Sequence, residues 1–187
     1  TTNIVENKYG NFGNLTEYKY TDGITNASYT TTIQYKDYDE ETGVFGLPID
    51  VVVKSGDQTM RHVSAEYDML DNNKESGYNP TSMTKMTQYF DEEGKVKAEI
   101  KFKYDTLGNI IEKIMPEVTE GDNLMKERMK YTYEYDKKYR MYPTRVTDGF
   151  GYRSDMFNYD YRYGIPLRVK DMNGFITEYE LDDLGRT

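Results

Sequence analysis

The residue types that carry chemistry are thinly spread along this chain. No cysteine is present, so a thiolate metal site or nucleophile is impossible, and His62, the single histidine, has no second histidine or cysteine to join it in a metal or general-base role. It reads as an ordinary strand residue beside Val63. Acidic residues gather at Asp37 to Glu41, Asp91 to Glu93 and Asp182-Asp183. Such groups can serve acid–base catalysis or calcium, but here they fall in turns, where Asp is expected to bond the backbone ahead of it. Asp171-Met172-Asn173-Gly174 opens like a calcium loop and lacks the later ligands and the distal Glu. Gly149-Phe150-Gly151 is no phosphate loop, because no helix follows it. Tyr131, Tyr133 and Tyr135, with Tyr159, Tyr161 and Tyr163, form period-2 aromatic ladders. These could stack on sugar rings, though cross-strand packing is their default role. No catalytic, cofactor or metal residue is assigned.

The elements that carry these residues are strands. From Lys95 to Tyr104 charged and apolar residues alternate without error: Val96, Ala98, Ile100, Phe102 and Tyr104 share one side, and the charged residues share the other. One charged face and one apolar face predict an antiparallel sheet with one side buried in a core. Asp105-Thr106-Leu107-Gly108-Asn109 then fits a type I turn, with Gly108 where φ is positive.

Composition agrees with an all-β chain. Of 187 residues only 35 are Leu, Ile, Val or Phe, but 20 are Tyr, whose ring can be buried while its hydroxyl stays wet. The net charge of −9 argues against nucleic acid and against anionic membrane surfaces. No apolar run approaches the roughly 20 residues of a membrane-spanning helix. The missing initial Met and the stop just after a turn signal read as a fragment of something longer.

Along the chain, Tyr9-Gly10-Asn11-Phe12-Gly13-Asn14 is a turn, and a short strand through Tyr18 and Tyr20 ends at Asp22-Gly23, a two-residue hairpin signal. Alternating runs predict strands over 29–35, 49–53, 63–69, 83–90, 95–104, 110–114, 129–135, 142–147, 152–161, 165–170 and 175–181. Turns fall at 39–43, 55–57, 91–94, Asp148-Gly149, Tyr163-Gly164 and 171–174, and long loops at 71–82 and 116–123. A helical turn competes with strand only at 124–129.

Aligned on their turns, Tyr9 to Gly13, Asp91 to Gly94, Tyr104-Asp105 to Gly108-Asn109 and Asp182 to Gly185-Arg186 share one pattern: aromatic or apolar, Asp or Gly, two residues, Gly. The stretch from Asp160 and Gly164 through Asp171, Gly174 and Tyr179 to Asp182, Gly185 and Arg186 closely resembles the YD repeat of RHS-repeat proteins. This family includes bacterial polymorphic toxins, insecticidal toxin-complex components, wall-associated proteins and teneurins. The resemblance covers residues 85–187 well and 1–84 loosely; Leu181 stands where the motif has Tyr and Gly10 where it has Asp. It implies an antiparallel hairpin-repeat sheet, a curved segment of a β-shell in a secreted or cell-surface bacterial protein that encloses or presents a C-terminal toxin or effector segment. The implied partners are neighbouring repeats of the same chain, that enclosed segment, and other copies through edge strands. The family's self-cleaving segment has no counterpart here, so neither autoproteolysis nor toxin activity carries over. The chain is thus expected to be one non-enzymatic, structural β unit over 1–187, without cofactor, nucleic-acid or membrane partner. A surface module binding carbohydrate or protein through tyrosines is the alternative.

Because the turn reading places Gly108 in the left-handed region, Gly108→Ala should cost on the order of 1 kcal/mol. An unchanged denaturation midpoint would remove that turn assignment.

Overall fold

The computed structural model describes residues 2–38, 40, 43–67, 82–117 and 129–187. Among them are thirteen strands and no helix, and hence no helix long and apolar enough to cross a membrane. The fold is all-β. The strands follow one another in chain order, and every described pairing is antiparallel. The expected loops at 71–82 (all but Ser82) and 118–123, the helical competitor at 124–128, Met69, and most of the 39–43 turn lie outside the described residues.

The chain divides into two units, Thr1–Lys101 and Phe102–Thr187, with the boundary inside β7. The first holds β1 (Ile4–Tyr9), β2 (Leu15–Thr21), β3 (Ser28–Tyr35), β4 (Pro48–Ser55), β5 (Gln58–Tyr67), β6 (Met83–Tyr89) and the start of β7 (Lys97–Tyr104). Its register follows the apolar pattern: Ile33 faces Val51 and Val51 faces Val63, while Ala65 faces Met86 and Met86 faces Ile100. Such cross-strand pairs are the unit of sheet stabilisation, and a one-residue slip would turn every one of them over. β1 is a strand that the alternation did not reveal. It is exposed along its length and pairs with β2 through Lys8–Glu17 and Lys19–Glu6 ion pairs of 2.7 and 3.2 Å.

The second unit holds the end of β7, then β8 (Ile110–Ile114), β9 (Lys130–Tyr135), β10 (Pro143–Asp148), β11 (Arg153–Asp160), β12 (Ile165–Lys170) and β13 (Ile176–Glu178). Here one cross-strand row is wholly charged: Glu134 faces Arg145, Arg145 faces Asp155, and Asp155 faces Lys170. Charges of alternating sign on adjacent strands fix the register that an apolar row fixes elsewhere.

The expectation of one buried face is corrected. Among the described residues no hydrophobic side chain is buried; Ile100, Phe102 and Tyr104 are half-buried, and Val96 is 58% exposed. The physical reason is that the described strands contact only their neighbours in chain order, so within each unit no described strand packs on a sheet face. A sheet without a packed core must hold its shape along its ladders and at its ends.

The tyrosines supply part of that hold. Tyr35, Tyr67 and Tyr135 end β3, β5 and β9, and Tyr159 stands one residue before the end of β11. Their hydroxyls donate to Leu15, Pro48, Ile110 and Pro143 carbonyls at 2.8, 3.1, 2.8 and 2.5 Å. Each acceptor is the first residue of the preceding strand. Where a ladder begins, a carbonyl left without a partner away from water is costly, and each hydroxyl supplies one there. Tyr has the reach to satisfy it while its ring lies on the sheet.

Removing one such hydroxyl, Tyr135→Phe, should lower stability by about 1 kcal/mol, whereas Tyr133→Phe should stay within about 0.5 kcal/mol. Equal urea midpoints for the two variants would show that the hydroxyl bond contributes nothing net.

Candidate functional site

The best-ordered local chemistry is in the turns. At Asp105 the carboxylate oxygen accepts the backbone N–H groups of Leu107 and Asn109, both at 2.9 Å, while Gly108 N–H donates to the Asp105 carbonyl at 3.1 Å. Asp171 repeats this with Asn173, Phe175 and Gly174, and Asp182 repeats it with Leu184, Arg186 and Gly185. Gly108, Gly174 and Gly185 have φ of 88, 89 and 80°. This is a type I turn followed by a left-handed residue, the three-residue hairpin closure. Arg186 and Asn109 return a second bond to their Asp through Nε and Nδ2 at 2.7 and 2.8 Å.

The other sequence-singled residues differ in informative ways. Tyr9 ends β1 and is followed by the same backbone closure, with Gly13 at φ 77° but Gly10 in place of the carboxylate. Asp91 and Gly94 do not form the same turn. The closing pair there is Phe90 and Val96, so Asp91 stands one residue inside a longer loop and its Oδ2 accepts Val96 N–H at 3.0 Å. Asp160 pairs with Ile165 across a four-residue loop, 161–164, in which Gly164 N–H donates to the Asp160 carbonyl at 2.8 Å. Tyr104 ends β7, and Tyr179 extends the β12–β13 ladder through its N–H to Leu167.

The two-residue hairpin at Asp22-Gly23 is also corrected. The closing pair is Asp22 and Ala27, and Asn26 carries the positive φ of 58°. Asp22 Oδ1 gathers Ile24 and Thr25 N–H groups and the Thr25 hydroxyl, and this capping draws the loop out to four residues. Gly23 serves close approach instead, since a Cβ there would collide with the Thr2 backbone. Likewise the positive-φ glycine after Asp148 is Gly151, not Gly149; the signal was the Asp-x-x-Gly spacing from 148 to 151.

Sequence reasoning missed Asp136. It is 6% exposed and accepts four backbone N–H groups, from Lys138, Tyr139, Met141 and Tyr142, at 2.6–3.1 Å. That bonding holds Arg140 at φ 56°, a conformation an Arg adopts only when its surroundings over-determine it. The available signals were Tyr135-Asp136 and Tyr159-Asp160, two Tyr-Asp steps at strand ends.

The turns at one end of the second unit touch in series. Asn109 Nδ2 donates to the Arg140 carbonyl at 2.7 Å. Tyr139 packs on Tyr161 with centroids 4.8 Å apart, and a Cβ on Gly164 would lie 2.9 Å from the Tyr142 ring. The Tyr163 ring covers Gly185 at 2.6–2.9 Å from where a Cβ would be, and its hydroxyl donates to the Asp183 carbonyl at 2.6 Å.

On the sheet surface of the same unit lies an arrangement of charged and aromatic side chains around a groove. Pro143 has no N–H to give the ladder, the β9–β10 register shifts between Pro143 and Arg145, and the β10–β11 pairing ends at Arg145 and Asp155. Asn158 of β11 has a left-handed φ of 53°. Beside these residues lies an open groove of about 470 Å³. Its polar side is Glu134, Arg145 and Asp155; its aromatic side is Phe157, Tyr159 and Tyr161. Arg145 Nε donates to Asp155 at 2.6 Å and its terminal nitrogen to Glu134 at 3.2 Å, and these carboxylates, Asp155 first, hold the guanidinium pKa above its ordinary value. Elsewhere, His62 Nε2 lies 2.7 Å from Asp50 and its ring stacks on Tyr89, a contact that runs from β4 through β5 to β6. Among the described residues no three His, Asp or Glu side chains converge to hold a metal.

The turn carboxylates give a pH signature. For Asp136 and Asp105 burial opposes ionisation, but the N–H donors around each outweigh it and the pKa is lowered. Asp182 is lowered by the Arg186 backbone bond, Asp160 by the Arg162 side chain and Asp22 by Thr25 N–H. A depressed folded pKa contributes stability above the unfolded value, near 4, and loses it as pH falls toward the folded value. The urea midpoint should therefore be flat above about pH 5 and fall below it. Asp136→Asn should cost roughly 1–2 kcal/mol at neutral pH and make the acid fall shallower; an equally steep fall would exclude this carboxylate as a contributor. Compared with known proteins, the chain matches no family model and no curated protein.

Proposed function

We propose that the chain is a non-catalytic structural segment of a secreted or surface YD-repeat protein, one stretch of a β-shell that encloses or presents a toxin or effector segment. The observation that carries this reading is the pairing of regular hairpin closures with faces that no described strand covers. The ladders, the carboxylate-capped turns and the tyrosine hydroxyl bonds provide order, while Phe12, Phe45, Val96, Phe157 and Phe175 remain largely exposed. Exposed apolar surface of this extent is characteristic of a face that meets another polypeptide. A wall needs that combination: shape fixed by its own strands and ends, and broad faces left for what it surrounds. The Tyr-Asp steps are consistent with the repeat resemblance, since Tyr satisfies the preceding strand's first carbonyl and Asp closes the next turn.

The test is site-specific photocrosslinking in the protein as its host makes it, with benzoylphenylalanine at Phe102 and at Phe157. The expected result is a crosslink from at least one face to a defined polypeptide segment that becomes protease-sensitive when the sheet is unfolded. Faces that crosslink to nothing, in a protein whose remaining segments are digested equally with the sheet folded or unfolded, would overturn the reading.

A further inference from the structure

Four tyrosines meet at one end of the second unit: Tyr139 and Tyr142 of the loop between β9 and β10, and Tyr159 and Tyr161 where β11 ends. We infer that Tyr139 and Tyr161 form an oxidative cross-linking site, at which a one-electron oxidant joins the two rings as a biphenol, separately from any enclosing role. The chain has 20 Tyr and neither Cys nor Trp, so tyrosine is its readiest donor of single electrons. Neighbouring rings of the cluster have centroids 4.8–6.2 Å apart, within the range of about 4.5–7 Å for aromatic pairs in contact. A radical formed on one ring is therefore shared with the others. Tyr139 is 49% exposed, which gives an oxidant in solution its point of entry.

The geometry singles out one pair within the cluster. Tyr139 and Tyr161 have the closest centroids, at 4.8 Å, and Lys138 Nζ lies 4.8 and 5.1 Å from the same two rings, so one ammonium sits over both. Asp136 fixes the backbone beneath, accepting Tyr139 N–H at 2.6 Å. Tyr159 is the poorer partner, because its hydroxyl donates to the Pro143 carbonyl and a phenoxyl there would lose that bond. In the reaction a haem peroxidase, itself oxidised by hydrogen peroxide, takes one electron and one proton from each phenol. The two phenoxyls form a bond between carbons ortho to their oxygens, and the hydrogen on each of those carbons then moves to its oxygen, restoring both phenols. The rings lose two hydrogens in all, and one hydrogen peroxide becomes two waters. The new bond ties the loop capped by Asp136 to the turn after β11 and removes conformations from the unfolded chain, as a disulfide does.

The experiment treats the folded protein, at high dilution, with a haem peroxidase and one equivalent of hydrogen peroxide, and maps the products by mass spectrometry. The expected product is a monomer lighter by two hydrogens, with the blue fluorescence of a biphenol, a dominant Tyr139–Tyr161 link and a raised urea midpoint. Tyr139→Phe and Tyr161→Phe keep both rings and should each reduce this monomeric product to a small fraction, whereas Tyr152→Phe, outside the cluster, should leave it unchanged. The same oxidation in urea should scatter links over many tyrosine pairs. Links scattered in the folded protein, products that are all intermolecular, an equal Tyr139–Tyr161 share in folded and unfolded chains, or undiminished monomeric product in the two cluster variants would each overturn the assignment. The wild-type map decides even where a variant loses its folded circular dichroism.

Discussion

The interaction on which the rest depends is the Asp carboxylate that gathers the backbone N–H groups of its own turn. In a protein with a packed interior, apolar burial sets register and turns follow. Here no apolar side chain among the described residues is buried, so the order of cause is reversed. Asp105, Asp148 and Asp171 each fix the length of a hairpin closure by bonding the residues two and four ahead, and Asp182 makes the same turn after β13. A fixed closure length fixes which residues face each other along the following ladder. The carboxylate's stabilisation is local, and its consequence runs the length of two strands.

The strands were legible because their alternation is a property of the backbone, whatever covers the faces. Lys97–Tyr104, Ser28–Tyr35 and Ile165–Lys170 could be read directly from the spacing of polar and apolar side chains. The core was misread for a related reason: alternation says that two faces differ, not that one of them is buried. Turn chemistry was legible only where Asp, Gly and the spacing of three agreed. At Asp22-Gly23 the dipeptide pointed to a two-residue turn, but a carboxylate reaching three residues ahead favoured a longer loop with Asn26 left-handed. At Asp91 the same residue types stood one position out of phase with the strand end. The groove was not legible at all. Its charged row exists only once the register places Arg145 between Glu134 and Asp155.

The tyrosine content now has a structural explanation beyond strand propensity. A Phe at the end of β3, β5 or β9 could cover the same surface, yet it would leave the first carbonyl of the preceding strand without a donor. Two of the four acceptors are proline carbonyls, Pro48 and Pro143. Proline at a strand start gives no N–H to the ladder, so such positions bring the neighbouring chain in through their carbonyl alone. Tyr at the end of the next strand supplies the donor that completes the corner.

Closures alone would make each hairpin an independent and marginal unit. What joins them in the second unit is ring-on-glycine packing at a shared end. Asn109 reaches the loop capped by Asp136; Tyr142 of that loop lies on Gly164; Tyr163 of the next turn lies on Gly185. Each glycine is needed twice over, once because its φ is positive and once because a Cβ would meet the neighbouring ring. The conformation of one turn is therefore a condition for seating the tyrosine of the turn before it. Repeat sheets derive cooperativity from such nearest-neighbour terms instead of from a common core. At the Gly164 and Gly185 turns Tyr, Asp and Gly act as one device, in which Asp sets the turn, Gly permits it, and the tyrosine of the turn before ties the two together.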